Sequence, residues 1–330
     1  MSKLKFYLLS ILFIATLTTS CDKDEEIIVN ESQVLAEYLE STQSPLMKDY
    51  VNTDMPAIIS ASDLKSLNET SQVYIIDIRS AADFATGHIK NAHNVTLSGI
   101  LAHIEEVDLS SYTKVAIVCY SGQTAGYATT LLRLMGYDKV FSLKFGMSSW
   151  NNAFANGWKS AVAAGNAYST QFVSTVTEKG AVGELPVLET GFITGQDILE
   201  ARVAELLTAG FDPAKVSNQT VFANLSNYYI VNYWPAAQYT DPGHIPGAIQ
   251  YTPKESIKLA VDLKTLPTDK PIAVYCYTGQ TSAALVAYLR LLGYDAKSLL
   301  YGTNGMIYDI MVTKSMTTFN DAAIMGYEYE

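Results

Sequence analysis

Short apolar runs alternate with amphipathic segments along most of the chain. Buried strands are predicted where nearly every position is apolar, at residues 73–76, 114–118, 229–231 and 271–275. Two of these runs lead directly into predicted helices, at 123–135 and 280–292, where apolar residues recur at helical spacing. Strands that are apolar on both faces and alternate with helices favour a parallel sheet covered on both sides, so we expect an α/β fold.

The two halves of the chain repeat each other. Residues 119–125 (Cys-Tyr-Ser-Gly-Gln-Thr-Ala) return as 276–282 (Cys-Tyr-Thr-Gly-Gln-Thr-Ser), an offset of 157 residues. The Gly-His-Ile segment at 87–89 likewise returns at 243–245, an offset of 156. Solenoid repeats have much shorter periods, so the pattern indicates a duplicated domain.

These patterns set the expected organisation. A segment rich in Ala, Gly, Ser and Thr, with weak periodicity, separates the halves, and a helix predicted over residues 195–207 opens the second domain. The predicted divisions are a leader at 1–20, an acidic tether and helical region at 21–59, a first domain at 60–158, a linker at 159–192 and a second domain at 193–330.

The first residues have the order of an export signal. Lys3 and Lys5 precede an apolar stretch at 6–17, which is too short to span a bilayer comfortably, and small residues at 18–20 precede Cys21. This order resembles the lipobox of bacterial lipoproteins, which implies lipid on Cys21 and attachment to the membrane. A plain secretory signal is the alternative.

The position of the anchor within the cell envelope has two opposing indications. Residues 22–26 form an acidic cluster that resembles a surface-export tag of some Gram-negative lipoproteins. Asp22 beside a lipidated cysteine would instead imply retention at the inner membrane by the enteric sorting rule. We expect the outer membrane or the cell surface and leave the leaflet open.

Composition excludes one class of partner and draws attention to the thiols. The chain of 330 residues is 48% hydrophobic, as a folded protein is, and its net charge of -11 offers no basic surface for nucleic acid. With Cys21 assigned to lipid, only Cys119 and Cys276 remain. Unpaired thiols are unusual in an exported protein, so they indicate either a function or a disulfide between the two domains.

Both thiols are predicted to lie where a strand ends and a helix begins. Ligands of open α/β sheets bind at this edge, and the N-terminus of a helix favours a thiolate and a neighbouring anion. Gly122 and Gly279 would allow the backbone to turn with its N–H groups inward. A buried, unreactive cysteine is the alternative, but it does not explain the repeated Gly-Gln-Thr that follows.

In order and spacing, these features resemble the rhodanese family. The first half contains Asp77-Ile78-Arg79, the acidic-aromatic pair 83–84, Gly-His-Ile-x-x-Ala, Cys-x-x-Gly and a later Gly turn, and most of this order recurs in the second half. The similarity covers about residues 60–158 and 193–315. It implies two rhodanese-like domains, each a parallel sheet flanked by helices, with a six-residue loop whose N–H groups surround the cysteine sulfur.

The resemblance implies a sulfurtransferase. Cys119 and Cys276 would carry sulfane sulfur as a persulfide, from thiosulfate or polysulfide to a thiol or cyanide-like acceptor, without a metal or other cofactor. Asp77 and Arg79 would form a supporting ion pair. The residues assigned to the two substrate-binding loops are Tyr120, Ser121, Gly122, Gln123, Thr124, Ala125, Tyr277, Thr278, Gly279, Gln280, Thr281 and Ser282.

Several positions depart from the family pattern. Asn232 and Trp234 replace the Asp and Arg in the second half, so the ion pair is missing or rebuilt there. Ser121 and Thr278 stand where thiosulfate-preferring members often place a cation, which predicts weak thiosulfate activity or another donor. Which cysteine is the more active, and the oligomeric state, stay open.

The remaining polar residues of the motifs have two interpretations each. Thr124 and Thr281 either donate a hydrogen bond to the sulfur or cap a helix. His88 and His244 are interpreted as structural, because Gly-His-Ile is a structural signature of the family.

Two other functions compete with sulfur transfer. Phosphatases of the dual-specificity cell-cycle type share the fold but need a longer loop with an arginine, and Ala125 and Ser282 occupy that position. A lipid-anchored binding or sulfur-carrier module that has lost turnover is the alternative from another class, because fold alone does not establish activity.

Overall fold

The computed structural model describes residues 30–330. The leader and Cys21, on which the prediction of a lipid anchor rests, lie outside the described residues. Within residues 30–330, every helix is too short or too polar to cross a membrane.

Two sheets of five parallel strands form the framework. The first contains β1 (Ile58–Ile59), β2 (Val73–Asp77), β3 (Ala92–Asn94), β4 (Lys114–Val118) and β5 (Val140–Leu143) in the order β1-β5-β4-β2-β3. The second contains β6 (Lys215–Val216), β7 (Tyr229–Asn232), β8 (Ile249–Gln250), β9 (Ile272–Tyr275) and β10 (Ala296–Leu299) in the order β6-β10-β9-β7-β8. The two orders are the same, which confirms the predicted fold class.

Helices flank both sheets. Those of the first half are α1 (Glu31–Glu40), α2 (Tyr50–Thr53), α3 (Ala61–Glu69), α4 (Ala81–Thr86), α5 (Ile100–Glu106), α6 (Gln123–Leu134), α7 (Met147–Trp150) and α8 (Asn156–Ala163). Those of the second half are α9 (Gly195–Ala209), α10 (Asn218–Ala223), α11 (Ala236–Thr240), α12 (Gln280–Leu291) and α13 (Tyr308–Thr313). At the start of α4, the Ser80 side chain accepts from the Asp83 N–H and caps the helix.

The two domains pack through the helices that follow the cysteine loops. α6 lies against α12, and Tyr127 of α6 contacts Phe211 of the second domain with ring centroids 5.4 Å apart. Buried residues of both domains therefore belong to one continuous apolar cluster, to which α1 and α9 also contribute. This packing brings the two cysteine loops to the same interface.

The segments outside the sheets also join the two halves. α1 packs on α9, and the Ser32 hydroxyl donates to the Leu292 carbonyl at 2.9 Å. The segment between α8 and α9 runs along the second domain, where Val173 and His244 exchange two backbone hydrogen bonds of 2.9 Å. The chain after α13 returns to the first domain, where Glu330 and His88 pair through their backbones.

Candidate functional site

The Cys119 sulfur lies within a turn of backbone N–H groups. Cys119 directly follows β4, and its Sγ accepts from the N–H of Gly122 at 3.2 Å and of Ala125 at 3.4 Å. Gly122 has a φ of +86°, a conformation that glycine adopts without strain. Donors arranged in this way stabilise negative charge on the sulfur.

The Cys276 sulfur has the equivalent amide donors and also lies beside a hydroxyl group. Gly279 and Ser282 donate their N–H groups to Sγ at 3.2 and 3.3 Å. The Ser282 Oγ lies 3.5 Å from the same sulfur and 2.9 Å from the Ser298 Oγ. Ala125 occupies the equivalent position of the first loop, so the two sulfur sites differ chemically.

Both sulfurs are buried and unpaired. Cys119 and Cys276 are each 2% exposed, and both are free, so the structure does not contain the disulfide considered as an alternative. Burial raises the pKa of the Cys119 thiol, and the N–H groups of Ala125, Ser121 and Gly122 oppose that shift. The amides therefore favour the thiolate, against the larger effect of burial.

A tyrosine follows each cysteine at the rim of its loop. Tyr120 is 49% exposed, and its hydroxyl donates to the Asp83 carboxylate at 2.5 Å. This bond and one from Ser80 lower the pKa of Asp83, with the Ser80 bond the larger cause. In the second domain, the Tyr277 hydroxyl donates to Gln238 instead. Only the first rim therefore carries a carboxylate beside its tyrosine.

The predicted ion pair is present in the first domain. Arg79 donates to the Asp77 carboxylate at 2.7 Å and to the Gly87 carbonyl at 2.7 Å, and both side chains are buried. Each charge is thus paired with the other, as burial requires. The pair joins the end of β2 to the Gly-His-Ile segment.

A neutral arrangement replaces that pair in the second domain. The Asn232 amide donates to the Tyr275 hydroxyl at 2.7 Å, and Tyr275 also accepts from the Ile245 N–H at 3.3 Å. Trp234, at the position of the arginine, stacks on Tyr277 with centroids 5.3 Å apart. The support is therefore rebuilt without charge.

The histidines and threonines of the motifs have structural surroundings. His88 stacks on Phe84 with centroids 3.8 Å apart, and both ring nitrogens of His244 lie within 3.0 Å of backbone carbonyls. Thr124 and Thr281 are the second residues of α6 and α12, whose N-caps are glycines, so the helix-capping alternative for them is wrong. Their predicted contact with sulfur stays a prediction.

Sequence reasoning missed two groups that support the loops. Ser298 of β10 holds the Ser282 hydroxyl, and the Trp158 indole N–H of α8 donates to the Ser121 carbonyl at 3.1 Å. Neither residue lies within a motif, and both reach the site only through folding, so no local signal identifies them. Among residues 30–330, no group of three or more His, Cys, Asp or Glu side chains is placed to bind a metal.

The fold and the site together define a class of protein: a duplicated α/β sheet protein with a cysteine held by loop amides at the carboxyl end of a central strand in each copy. The model of the rhodanese-like domain matches residues 60–153 and 222–306. The chain therefore belongs to the rhodanese family, in its tandem form.

Two curated relatives agree with this assignment. The thiosulfate sulfurtransferase GlpE of Shewanella oneidensis is 33% identical over 97 residues, which are 29% of this chain and 94% of that protein. GlpE of Vibrio cholerae is 26% identical over 95 residues, which are 29% of this chain and 88% of that protein. Among solved structures, the 3-mercaptopyruvate sulfotransferase SseA of Escherichia coli is 21% identical and covers 76% of this chain and 98% of its own, with a TM-score of 0.27.

Proposed function

We propose that this protein is a sulfurtransferase that carries sulfane sulfur as a persulfide on Cys119, on Cys276 or on both. The observation that supports this most directly is the arrangement around each sulfur. Two backbone N–H groups point at each Sγ from 3.2 to 3.4 Å, at the N-terminus of a long helix. A thiolate and a persulfide are both anions, so the same donors stabilise the nucleophile and the intermediate.

The reaction needs two displacements at sulfur. The cysteine thiolate attacks the outer sulfur of the donor, a new S–S bond forms, and the bond within the donor breaks. The leaving group takes the electron pair as sulfite from thiosulfate, or as a polysulfide one sulfur shorter. A thiolate or cyanide acceptor then attacks the outer sulfur of the persulfide and returns the cysteine to its thiolate.

Charge around the loops argues against thiosulfate as a fast donor. Neither loop contains Lys or Arg, and the nearby Arg79 is already paired with buried Asp77. A thiosulfate dianion would therefore enter without a countercharge, in a protein whose net charge is -11. We expect slow turnover with thiosulfate and faster loading by polysulfide, which has no sulfonate group that needs a cation.

A rhodanese-like binding or sulfur-carrier module without turnover is the second candidate. The burial of both cysteines, each 2% exposed, and the absence of charge from both loops favour it. Steady-state transfer to cyanide, with thiosulfate and then polysulfide as donor, separates the two functions. We expect turnover in wild type and in one or both of Cys119→Ser and Cys276→Ser, but none in the double variant. A wild-type rate equal to that of the double variant would support the module.

We also propose that lipid on Cys21 holds the protein at the outer membrane or cell surface. The order of basic, apolar and small residues before Cys21 supports this proposal. Cys21→Ser should release the protein from the membrane fraction while leaving both cysteine loops unchanged. Protease treatment of intact cells should degrade the wild-type protein, and full protection would contradict surface display.

A further inference from the structure

Each cysteine loop carries a buried glutamine whose side chain reaches the other domain. Gln123 and Gln280 occupy equivalent positions, directly after the loop glycines, and each is 1% exposed. Burial of an amide is unfavourable unless its polar atoms are paired, so the partners of these two side chains matter.

Gln280 of the second loop makes its side-chain contacts with the first domain. Its Nε2 donates to the Ser142 hydroxyl at 2.9 Å and to the Leu143 carbonyl at 3.2 Å, and its Oε1 accepts from the Phe145 N–H at 3.4 Å. These partners lie at the end of β5 and in the turn that follows. Gln280 therefore holds a turn of the opposite domain.

That turn rests directly on the Cys119 loop. The N–H of Met147 donates to the Cys119 carbonyl at 2.9 Å, and the N–H of Ser148 donates to the Tyr120 carbonyl at 3.3 Å. A Cβ atom at Gly146 would lie 2.3 Å from the Cys119 carbonyl oxygen, which is too close for any side chain. Glycine therefore allows the turn to approach the loop this closely. Because the turn binds the Cys119 and Tyr120 carbonyls, these carbonyls are held away from the Cys119 sulfur. The N–H groups of the loop are then directed at the sulfur.

Gln123 makes the equivalent connection, from the first loop to a turn of the second domain. The Gln123 Oε1 accepts from the Tyr301 N–H at 2.8 Å, in the turn after β10. Thr303 of that turn donates its N–H to the Cys276 carbonyl at 3.1 Å. The Gln123 side chain also donates to the Ser121 hydroxyl of its own loop at 3.0 Å, whereas the side-chain bonds of Gln280 all cross the interface.

We propose that Gln123 and Gln280 are positioning residues that act across the domain interface. Gln280 sets the reactivity of Cys119, and Gln123 sets that of Cys276, each through the turn that supports the opposite loop. Neither glutamine needs to touch the reacting sulfur that it controls. The inference rests on the proposed sulfur chemistry only for its use in turnover, because ordinary thiol reactivity reports the positioning by itself.

The test measures the reactivity of the Cys119 thiol after Gln280 is substituted. In full-length Cys276→Ser protein, Gln280→Met keeps the volume of the side chain and removes its hydrogen bonds. The rate of Cys119 alkylation by iodoacetamide is measured against pH on the isolated Cys119 peptide by mass spectrometry, and polysulfide loading is measured on the same peptide. We expect alkylation at neutral pH to slow about 3- to 10-fold, as for loss of one to two hydrogen bonds, and the profile to move to higher pH.

Two further variants make the result decisive. Gln196→Met is the matched control, because the Gln196 amide bonds only to Glu200 on the exposed face of α9, and it should leave the profile unchanged. Ser142→Ala removes one acceptor of the Gln280 amide without altering either loop, and it should shift the profile in the same direction by less. Gln123→Met in Cys119→Ser protein should slow Cys276 in the same way.

The outcomes for the inference and for the proposed function are distinguishable. Unchanged Cys119 alkylation in both Gln280→Met and Ser142→Ala would overturn cross-domain positioning. A shifted alkylation profile in a protein that never loads sulfur would support the positioning and contradict the sulfurtransferase.

Discussion

Equivalent positions of the two loops hold Ala125 and Ser282, which differ by one hydroxyl oxygen. That Ser282 oxygen lies 3.5 Å from the Cys276 sulfur. The Ser298 hydroxyl, 2.9 Å away, orients it. When the thiol loses its proton, the Ser282 hydroxyl can donate to the resulting anion, and hydrogen bonds to charged groups are stronger than neutral ones. Cys119 has only backbone donors, because Ala125 carries no hydroxyl.

Because of this hydroxyl, we expect Cys276 to load sulfur faster than Cys119, and substitution of Ser282 should remove the difference. In Cys119→Ser protein, Ser282→Ala should slow polysulfide loading of Cys276 by about tenfold, as for the loss of a hydrogen bond worth about 1.5 kcal/mol to an anion. The rate is measured by rapid quench and mass spectrometry. Ala125→Ser in Cys276→Ser protein is the matched gain of a hydroxyl and should speed Cys119. Equal rates before and after Ser282→Ala would show that the hydroxyl has no part in the reaction.

At the scale of elements, the segment after α13 joins the two domains. Phe319 is 1% exposed and packs against Phe145 and Trp158 of the first domain, with ring centroids 5.2 and 5.1 Å apart. Trp158 in turn donates to the Ser121 carbonyl of the first loop. The segment therefore supports the first site as well as the interface.

Phe319→Ala should destabilise the protein by about 3–5 kcal/mol, because it leaves a cavity among these aromatic rings. Phe192→Ala is the matched control, since Phe192 is 46% exposed, and its cost should stay within about 0.5 kcal/mol. Urea unfolding followed by circular dichroism measures both. A Phe319→Ala protein as stable as the control would mean that the segment does not hold the domains together.

The sequence predicted those elements whose pattern is local. The strands β2, β4, β7 and β9 are apolar at nearly every position, and the helices after β4 and β9 have clear periodicity, so each was recognisable alone. The docking of α1 on α9 and the return of the last residues to His88 depend on contacts between distant parts of the chain. No periodicity carries that information.

The residues of the candidate site that lie within local motifs were predictable, and those that depend on packing were not. The cysteines, the glycines and the Asp77–Arg79 pair lie within repeated or recognisable motifs. The cross-domain bonds of Gln123 and Gln280, and the contact of Ser282 with sulfur, depend on how the domains and loops pack. The repeat marked the glutamines as special without showing where their side chains point.

At the scale of the whole molecule, the two domains share one apolar core. α6 and α12 pack together, and buried side chains of α1 and α9 continue the same cluster. Separation of the domains would expose this surface to water, at a cost of about 25 cal/mol for each Å² of apolar area. The tandem therefore behaves as one structural unit, in which each domain completes the support of the other's loop.

Cooperative unfolding follows from this shared core. Differential scanning calorimetry should show a single transition whose calorimetric and van't Hoff enthalpies agree. Cys119→Ser plus Cys276→Ser protein should behave the same way, because neither cysteine forms a disulfide. Two separated transitions, one for each domain, would contradict the single unit.

The central claim is that one or both of these amide-lined cysteines carry sulfane sulfur. Intact-protein mass spectrometry after brief exposure to polysulfide, and separately to thiosulfate, tests it most directly. We predict that the wild-type protein gains one or two sulfur atoms with polysulfide and fewer with thiosulfate. The gain should persist in one or both of the single variants, disappear in Cys119→Ser plus Cys276→Ser, and be removed from the wild type by cyanide. A wild-type protein that gains no sulfur from either donor would contradict the claim.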